Sequence, residues 1–329
     1  MAGMMDDKLP FEKAYRLETQ QTEQAWLIES VWARSAVGII GGAPKCCKSW
    51  LGLDMAVSVA SGSACLDRFE VQNKGPVLVF LAEDALCTVR SRIDALCGHR
   101  KIDIRNLDLS VITAPALRLD LAGDQNRLQR TLADLRPRLL VLDPLVRLHR
   151  LDENSASDIS KLLGFVRELQ RTHDCAIVLV HHAGKKHRAQ AGQSLRGSSD
   201  LHAFGDSNVY LARRKQRLAL TLEHRSAKPP DPIELELISH ADGSQTHLKV
   251  VSTETMNANQ ALPHRVLAVL NHTRQPMTRT SIRDRLKVNN QRLGHAIAEL
   301  ERQGRIMRVK SGWVSISGQA GKNDDPSSS

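Results

Sequence analysis

The stretch GIIGGAPKCCKSW, residues 38–50, decides the fold. From Gly42 to Ser49 it follows the template G-x-x-x-x-G-K-[ST], in which backbone amides cradle phosphates, the lysine reaches the terminal phosphates and the hydroxyl holds Mg2+. The apolar run at 36–41 before it predicts a strand. Leu51, Leu53, Met55, Ala56, Val59 and Ala60 after it predict a helix, and a phosphate loop belongs at that junction. The candidate nucleotide-binding residues are therefore Gly42, Ala43, Pro44, Lys45, Cys46, Cys47, Lys48, Ser49 and Trp50. Cys47 stands where the template has its second glycine. If that position needs a positive φ, a side chain there costs about 1–2 kcal/mol, and the loop is tighter, weaker or differently shaped than the template.

Working outward, 329 residues with 41% hydrophobic content predict two domains plus tails of a globular chain. The apolar runs are short, CAIVLV at 175–180 among the longest, against the ~18 residues that a membrane-spanning helix requires. The start, MAGMMDDKLPFEK, lacks the apolar stretch of a signal peptide, so a cytoplasmic setting is expected. Cys46, Cys47, Cys65, Cys87, Cys97 and Cys175 show neither a C-x-x-C pair nor a zinc-type His/Cys spacing, which predicts reduced and mostly buried thiols. A net charge of +10 favours a polyanionic partner. Residues 263–317 hold eleven Lys/Arg against three Asp/Glu, so +8 of that charge sits there. A merely soluble basic surface is the plainer alternative.

Residues 1–21 are polar and read as a loosely ordered segment. From 22 to 240 short strands alternate with helical segments, the pattern of an α/β core with a mostly parallel sheet covered by helices. The strands are expected at 36–41, 77–82, 109–113, 138–143 and 175–181, and closer runs at 207–213, 218–224 and 233–238 predict an antiparallel extension. Residues 241–262 read as a possible last strand followed by a linker. Three helical patterns and the two short strands of RIMRVKSGWVSIS make 263–317 a winged helix-turn-helix, and 318–329 a disordered tail.

Two strand tips add chemistry. In RPRLLVLDPLVRLH, Asp143 ends an apolar strand, where a carboxylate can hold hydrated Mg2+ opposite Ser49. In VLVFLAEDA, Glu83 is the candidate to orient and polarise the attacking water, and Asp84 is read as the N-cap of the next helix. Both acids acting as caps is the alternative.

With these strings and VLVHHAGKK at 178–186, residues 25–240 resemble the RecA-like ATPases, particularly the RepA-type hexameric plasmid helicases and their DnaB-family relatives. The resemblance implies a RecA-like P-loop core and a ring, or sometimes a filament, with ATP between subunits. A polar residue after the fourth strand senses the γ-phosphate in that family, and His181 and His182 occupy the place; an incidental surface pair or half a metal site are the alternatives. The loop at 183–199 lines the central channel in such rings, and it carries Lys185, Lys186, Arg188 and Arg196 without an acid, suited to a phosphate backbone. LTLEHRSAKPPDPIELEL resembles the strand and hairpin that present an arginine to a neighbour's nucleotide. Arg225 is then the arginine finger, with Arg213 and Arg214 as alternatives. Glu223 departs from the family, which often has a lysine there.

In the basic C-terminal module the expected recognition helix NNQRLGHAIAELERQG carries Asn290, Arg292 and His295 beside a core stripe of Leu293, Ile297 and Leu300. Arg308 and Lys310 on the wing would meet flanking phosphates, although winged helices also dock proteins. The expectation is an ATP- and Mg2+-dependent homohexamer or other oligomer. Single-stranded DNA would pass its core loop and duplex would sit on its winged helix. A nucleotide-switched DNA-binding regulator or replication-initiation factor with slow hydrolysis is the alternative. A relic loop is disfavoured because Lys48, Ser49, Glu83 and Asp143 are all retained.

Overall fold

The computed structural model describes residues 11–16, 26–153, 155–182, 199–214, 217–227, 229–239, 245–251, 261–273, 275–286, 288–309 and 311–316. They fall into two compact units, Met1–Val251 and Ser252–Ser329.

The first unit opens with a short antiparallel ribbon, β1 (Trp26–Ile28) and β2 (Trp32–Ala33). Strands and helices then alternate: β3 (Val37–Gly42), α1 (Lys48–Ser61), β4 (Val77–Leu81), α2 (Leu86–Arg100), β5 (Leu109–Val111), α3 (Ala122–Leu135), β6 (Leu139–Asp143), α4 (Ala156–His173), β7 (Ala176–His182), α5 (Ser199–Phe204) and β8 (Ser207–Arg214). Three strands close the unit, β9 (Arg217–His224), β10 (Ile233–Ile238) and β11 (His247–Val250). All but β1 and β2 join one nine-stranded sheet in the order β11-β10-β9-β8-β3-β7-β6-β4-β5. The part from β8 to β5 is parallel and the part from β8 to β11 antiparallel.

The parallel strands read as unbroken apolar runs because helices cover both faces. Side chains alternate between two cores. Ile40, Leu139 and Val141 pack with α1 and α2, whereas Val37, Ile39, Leu140 and Leu142 pack with α3, α4 and α5. Helix α1 is buried along most of its length and stops at Gly62, whose left-handed backbone lets its N–H reach Ser58 O. Asp54 of α1 and Arg100 of α2 form an ion pair at 2.8 Å with side chains 1% and 5% exposed. Removing either partner would strand a buried charge at a cost of about 3–5 kcal/mol.

The strands lie within about two residues of their expected places, and the late runs do extend the sheet antiparallel. The possible last strand expected beyond residue 240 is present, since His247–Val250 pairs with Leu235–Ile238 and continues the sheet. Among the described residues, no helix is long and apolar enough to cross a membrane.

The second unit holds three helices, α6 (Ala261–Thr273), α7 (Arg279–Leu286) and α8 (Asn290–Arg302), followed by an antiparallel ribbon of β12 (Ile306–Val309) and β13 (Gly312–Ser315). Leu262, Val266, Leu270, Ile282, Leu293, Ile297, Leu300 and Ile306 form its core. Asn289 caps α8, its Oδ1 accepting from Arg292 N at 2.9 Å. The stripe expected on this helix is buried, and Asn290, Arg292 and His295 are exposed. Arg308 lies over the Trp313 ring at 5.3 Å. Lys310 falls outside the described residues, as do the segments 1–10, 17–25 and 317–329.

Candidate active site

The loop between β3 and α1 is shaped by crowding from β8. A Cβ on Gly42 would sit 2.3 Å from Leu211 O, so no larger residue fits. Cys47, the N-cap of α1, has φ 63° and ψ 27°. The position does need the left-handed backbone, and its side chain carries the strain of about 1–2 kcal/mol that the glycine template avoids. Lys45 is also left-handed, at φ 63°. Cys46 turns inward, with Sγ 2.6 Å from Ala43 O and 3.4 Å from Leu211 O, so its backbone rather than its thiol is the part available to a ligand. Burial pushes both thiols up, which keeps them uncharged beside Lys48.

Lys48 is 4% exposed, and its Nζ donates to Ala43 O at 2.9 Å, inside the loop it would serve. Burial lowers its pKa. Phosphate oxygens are the natural replacement for that carbonyl. On the outer side Arg213 Nη2 donates to Lys45 O at 2.9 Å. The sequence offers Arg213 as an alternative finger for a neighbour, yet the sheet order sets it on its own chain's loop.

The carboxyl ends of adjacent strands bring the remaining groups to the same edge. Leu81 pairs with Asp143 across β4 and β6, and Gly42 pairs with His182 across β3 and β7. Since β7 lies between β3 and β6, His182 ends between the phosphate loop and Asp143. Asp143 is 7% exposed. Desolvation pushes its pKa up to about 6, although a hydrogen bond with Ser49 pulls the other way. That contact joins the two groups expected to share Mg2+. Lys48 and Glu83 both lie near enough to act on Asp143 electrostatically.

Glu83 is exposed and accepts from Arg147 Nε at 2.8 Å. Asp84 corrects its sequence reading. The N-cap of α2 is Ala85, without a side-chain cap. Asp84 instead takes a forked contact from Arg92, at 2.6 and 3.1 Å, because a guanidinium two turns along α2 offers two donors where a cap offers one amide. Arg92 also lies over the ring of Trp50 at 5.7 Å, and Trp50 packs half-buried against the core. His181, beneath His182, is buried with Nδ1 3.7 Å from Glu153 Oε1.

Arg225 is not in this cluster. Ser207 pairs with His224, and Arg225 N donates to Asp206 O, at the start of β8. Five residues of strand separate that level from Gly42, about 16 Å at ~3.3 Å per residue. The guanidinium meets Asp206 at 3.2 Å and remains half exposed. Lys185, Lys186, Arg188 and Arg196 fall outside the described residues.

The sequence matches the AAA domain family over residues 6–188. Among solved structures, a DnaB-like replicative helicase superposes with a TM-score of 0.50 and 14% identity, covering 65% of this chain and 57% of that one. The RadB recombinase gives 0.49 and 13%, covering 67% of this chain and 92% of that one. The chain thus spans less than two thirds of the helicase chain, and identities this low speak to fold alone. With the family match over more than half its length, and a phosphate loop, Ser49 and Asp143 on one edge of a mostly parallel sheet, the chain belongs to the AAA domain family and has the fold of a RecA-like P-loop ATPase.

Proposed function

We propose that this ATPase acts on DNA as a cytoplasmic homo-oligomer, a helicase or translocase with ATP at its subunit interfaces, serving replication of a plasmid or mobile element. The observation that carries the reading is the division of the site. Lys48, Ser49, Asp143, Glu83 and His182 share one edge of the sheet, while Arg225 stands at the other end of the same sheet. An arginine so placed is out of reach of its own loop and, once released from Asp206, would reach a neighbour's.

The residues fit magnesium ATP. The loop leaves no space for a Cβ at Gly42, its buried ammonium rests on a carbonyl, and a hydroxyl touches a carboxyl at the magnesium position. Loop amides and Lys48 would hold the phosphates, and Ser49 and Asp143 the hydrated ion, which supplies charge neutralisation when bound. Asp143 must be ionised for that task. Glu83, once released from Arg147, would accept a hydrogen bond from water and orient it, and His182 would meet the γ-phosphate. In the second unit, read as a winged helix, Asn290, Arg292 and His295 of α8 would face duplex DNA with Arg308 on the wing. Lys185, Lys186, Arg188 and Arg196 would track a single strand.

Two observations favour a slower, switch-like ATPase as the second reading. Cys47 strains the loop, and Glu83 is paired with Arg147. Mixing Arg225→Ala with Lys48→Ala protein decides between them. Activity restored in the mixture, from two inactive parents, supports a shared site. Full activity in Arg225→Ala alone, or a monomer in the presence of ATP and DNA, refutes it and leaves the switch.

A further inference from the structure

Away from the phosphate loop, three side chains from three elements meet: Asp67 in the turn after α1, His99 near the end of α2, and His247 at the start of β11. One donor atom of each lies within 4.8 Å of the other two. His99 Nε2 is 2.7 Å from Asp67 Oδ2. The two imidazoles stack with centroids 3.5 Å apart and planes 14° from parallel. His247 is 5% exposed, and its Nδ1 is 2.8 Å from Gln245 O. A carbonyl only accepts, so Nδ1 carries the proton and Nε2 the lone pair. Metal-binding histidines are commonly oriented by such a backbone bond.

We propose that Asp67, His99 and His247 form a site for one divalent transition-metal ion, best suited to zinc and separate from the magnesium position at Ser49 and Asp143. Two imidazole nitrogens and one carboxylate oxygen, with water completing a tetrahedron, are donors that zinc takes. Magnesium and calcium prefer all-oxygen shells. Zinc bonds of about 2.0–2.2 Å put neighbouring tetrahedral donors about 3.3 Å apart. The donor atoms lie within 4.8 Å of one another and must close toward that spacing. The contact between Asp67 and His99 must lengthen by roughly 0.6 Å on the same geometry, and the Nε2 proton that the carboxylate accepts must pass to Nδ1 as the ion binds; the 41% exposed carboxylate side chain can follow. The imidazole planes must also open so that both lone pairs converge. His99, a quarter exposed, has room to rotate, and His247 stays anchored.

The ion would tie β11, the edge strand of the sheet, to α2 and to the turn after α1. No motif spacing reveals this group, because 32 residues separate Asp67 from His99 and β11 comes much later in the chain.

The test uses the full untagged chain, stripped with a chelator and kept free of nucleotide. It is titrated with Zn2+ by calorimetry and with Co2+ by visible absorption. The expected result is one ion per chain, with the d–d bands of tetrahedral nitrogen and oxygen ligation and no sulfur-to-cobalt charge transfer. His99→Gln and Asp67→Asn each weaken binding by at least ~10-fold. Both are partly exposed sites, and an unchanged circular dichroism spectrum verifies that the variants fold. Absence of saturable binding, a sulfur charge-transfer band, or undiminished binding in the Asp67→Asn/His99→Gln double variant overturns the proposal.

Discussion

Replacing Asp143 with asparagine should make the nucleotide-free protein more stable while removing its ability to hold magnesium. The carboxyl is 7% exposed, and desolvation raises its pKa from 3.8 to about 6. A folded-state pKa above the unfolded value means that the folded chain binds the proton more tightly. The associated stability is fully present below pH 3.8 and is lost as pH rises through 6. At about 1.4 kcal/mol for each tenfold change in proton affinity, ionising this carboxyl in the folded chain costs about 3 kcal/mol at pH 7.5, falling to roughly half of that at pH 5. Asparagine keeps the shape and can still accept from Ser49 without carrying charge. Urea denaturation of both proteins at pH 7.5 and pH 5, without Mg2+ or nucleotide, measures the difference. Asp143→Asn should unfold at higher urea at pH 7.5, and its advantage should shrink at pH 5. Equal midpoints at pH 7.5, or an advantage that grows toward acid, would refute the view that Asp143 is a charge held in a dry place for a metal.

Glu83→Gln should keep nucleotide binding and slow hydrolysis at least ~100-fold, the usual scale for losing acid–base assistance; comparable turnover would move the role to another carboxylate. Cys47→Gly should stabilise the ligand-free protein by about 0.5–1 kcal/mol, since relief of about 1–2 kcal/mol of left-handed strain exceeds glycine's added unfolded-state entropy. An unchanged or lower thermal midpoint counts against strain at that residue. Magnesium-nucleotide affinity in the parent chain should fall as pH drops below about 6, where Asp143 takes up its proton; a flat profile from pH 7.5 to 5 by calorimetry contradicts its place in the metal shell. Residues 252–329 alone should bind duplex DNA with a steep salt dependence, and a flat one would favour a protein-docking module.

Much of this was legible in the chain because buried parallel strands leave continuous apolar runs. LLVLD ends in Asp143, and VLVFL is followed by Glu83 within two residues. The positive φ at Cys47 was legible as a condition attached to the template. What pattern reading missed depended on neighbours that sequence order does not give. Arg213 reaches Lys45 because β8 lies beside β3, 165 residues and more downstream of the loop it touches. Asp84 looked like a cap until Arg92 supplied a stronger partner. The strand His247–Val250 was legible only as a possibility ahead of the linker, because four residues are too few for alternation to stand out, and its pairing with β10 makes it part of the sheet.

The place of β3 in the sheet also sets a timetable for the newly made chain. Its partners are Ile177–His182 on one side and Val209–Leu211 on the other, so the loop residues leave the ribosome long before the strands that brace them. At ~5–20 residues per second, about 10–30 s pass between synthesis of Lys48 and of Leu211. Until then the carbonyl that crowds Gly42 does not exist and Arg213 has not been joined to the chain. A nucleotide that needs the braced loop therefore meets it only after those strands have been made. It can only select chains that have already brought their distant strands home.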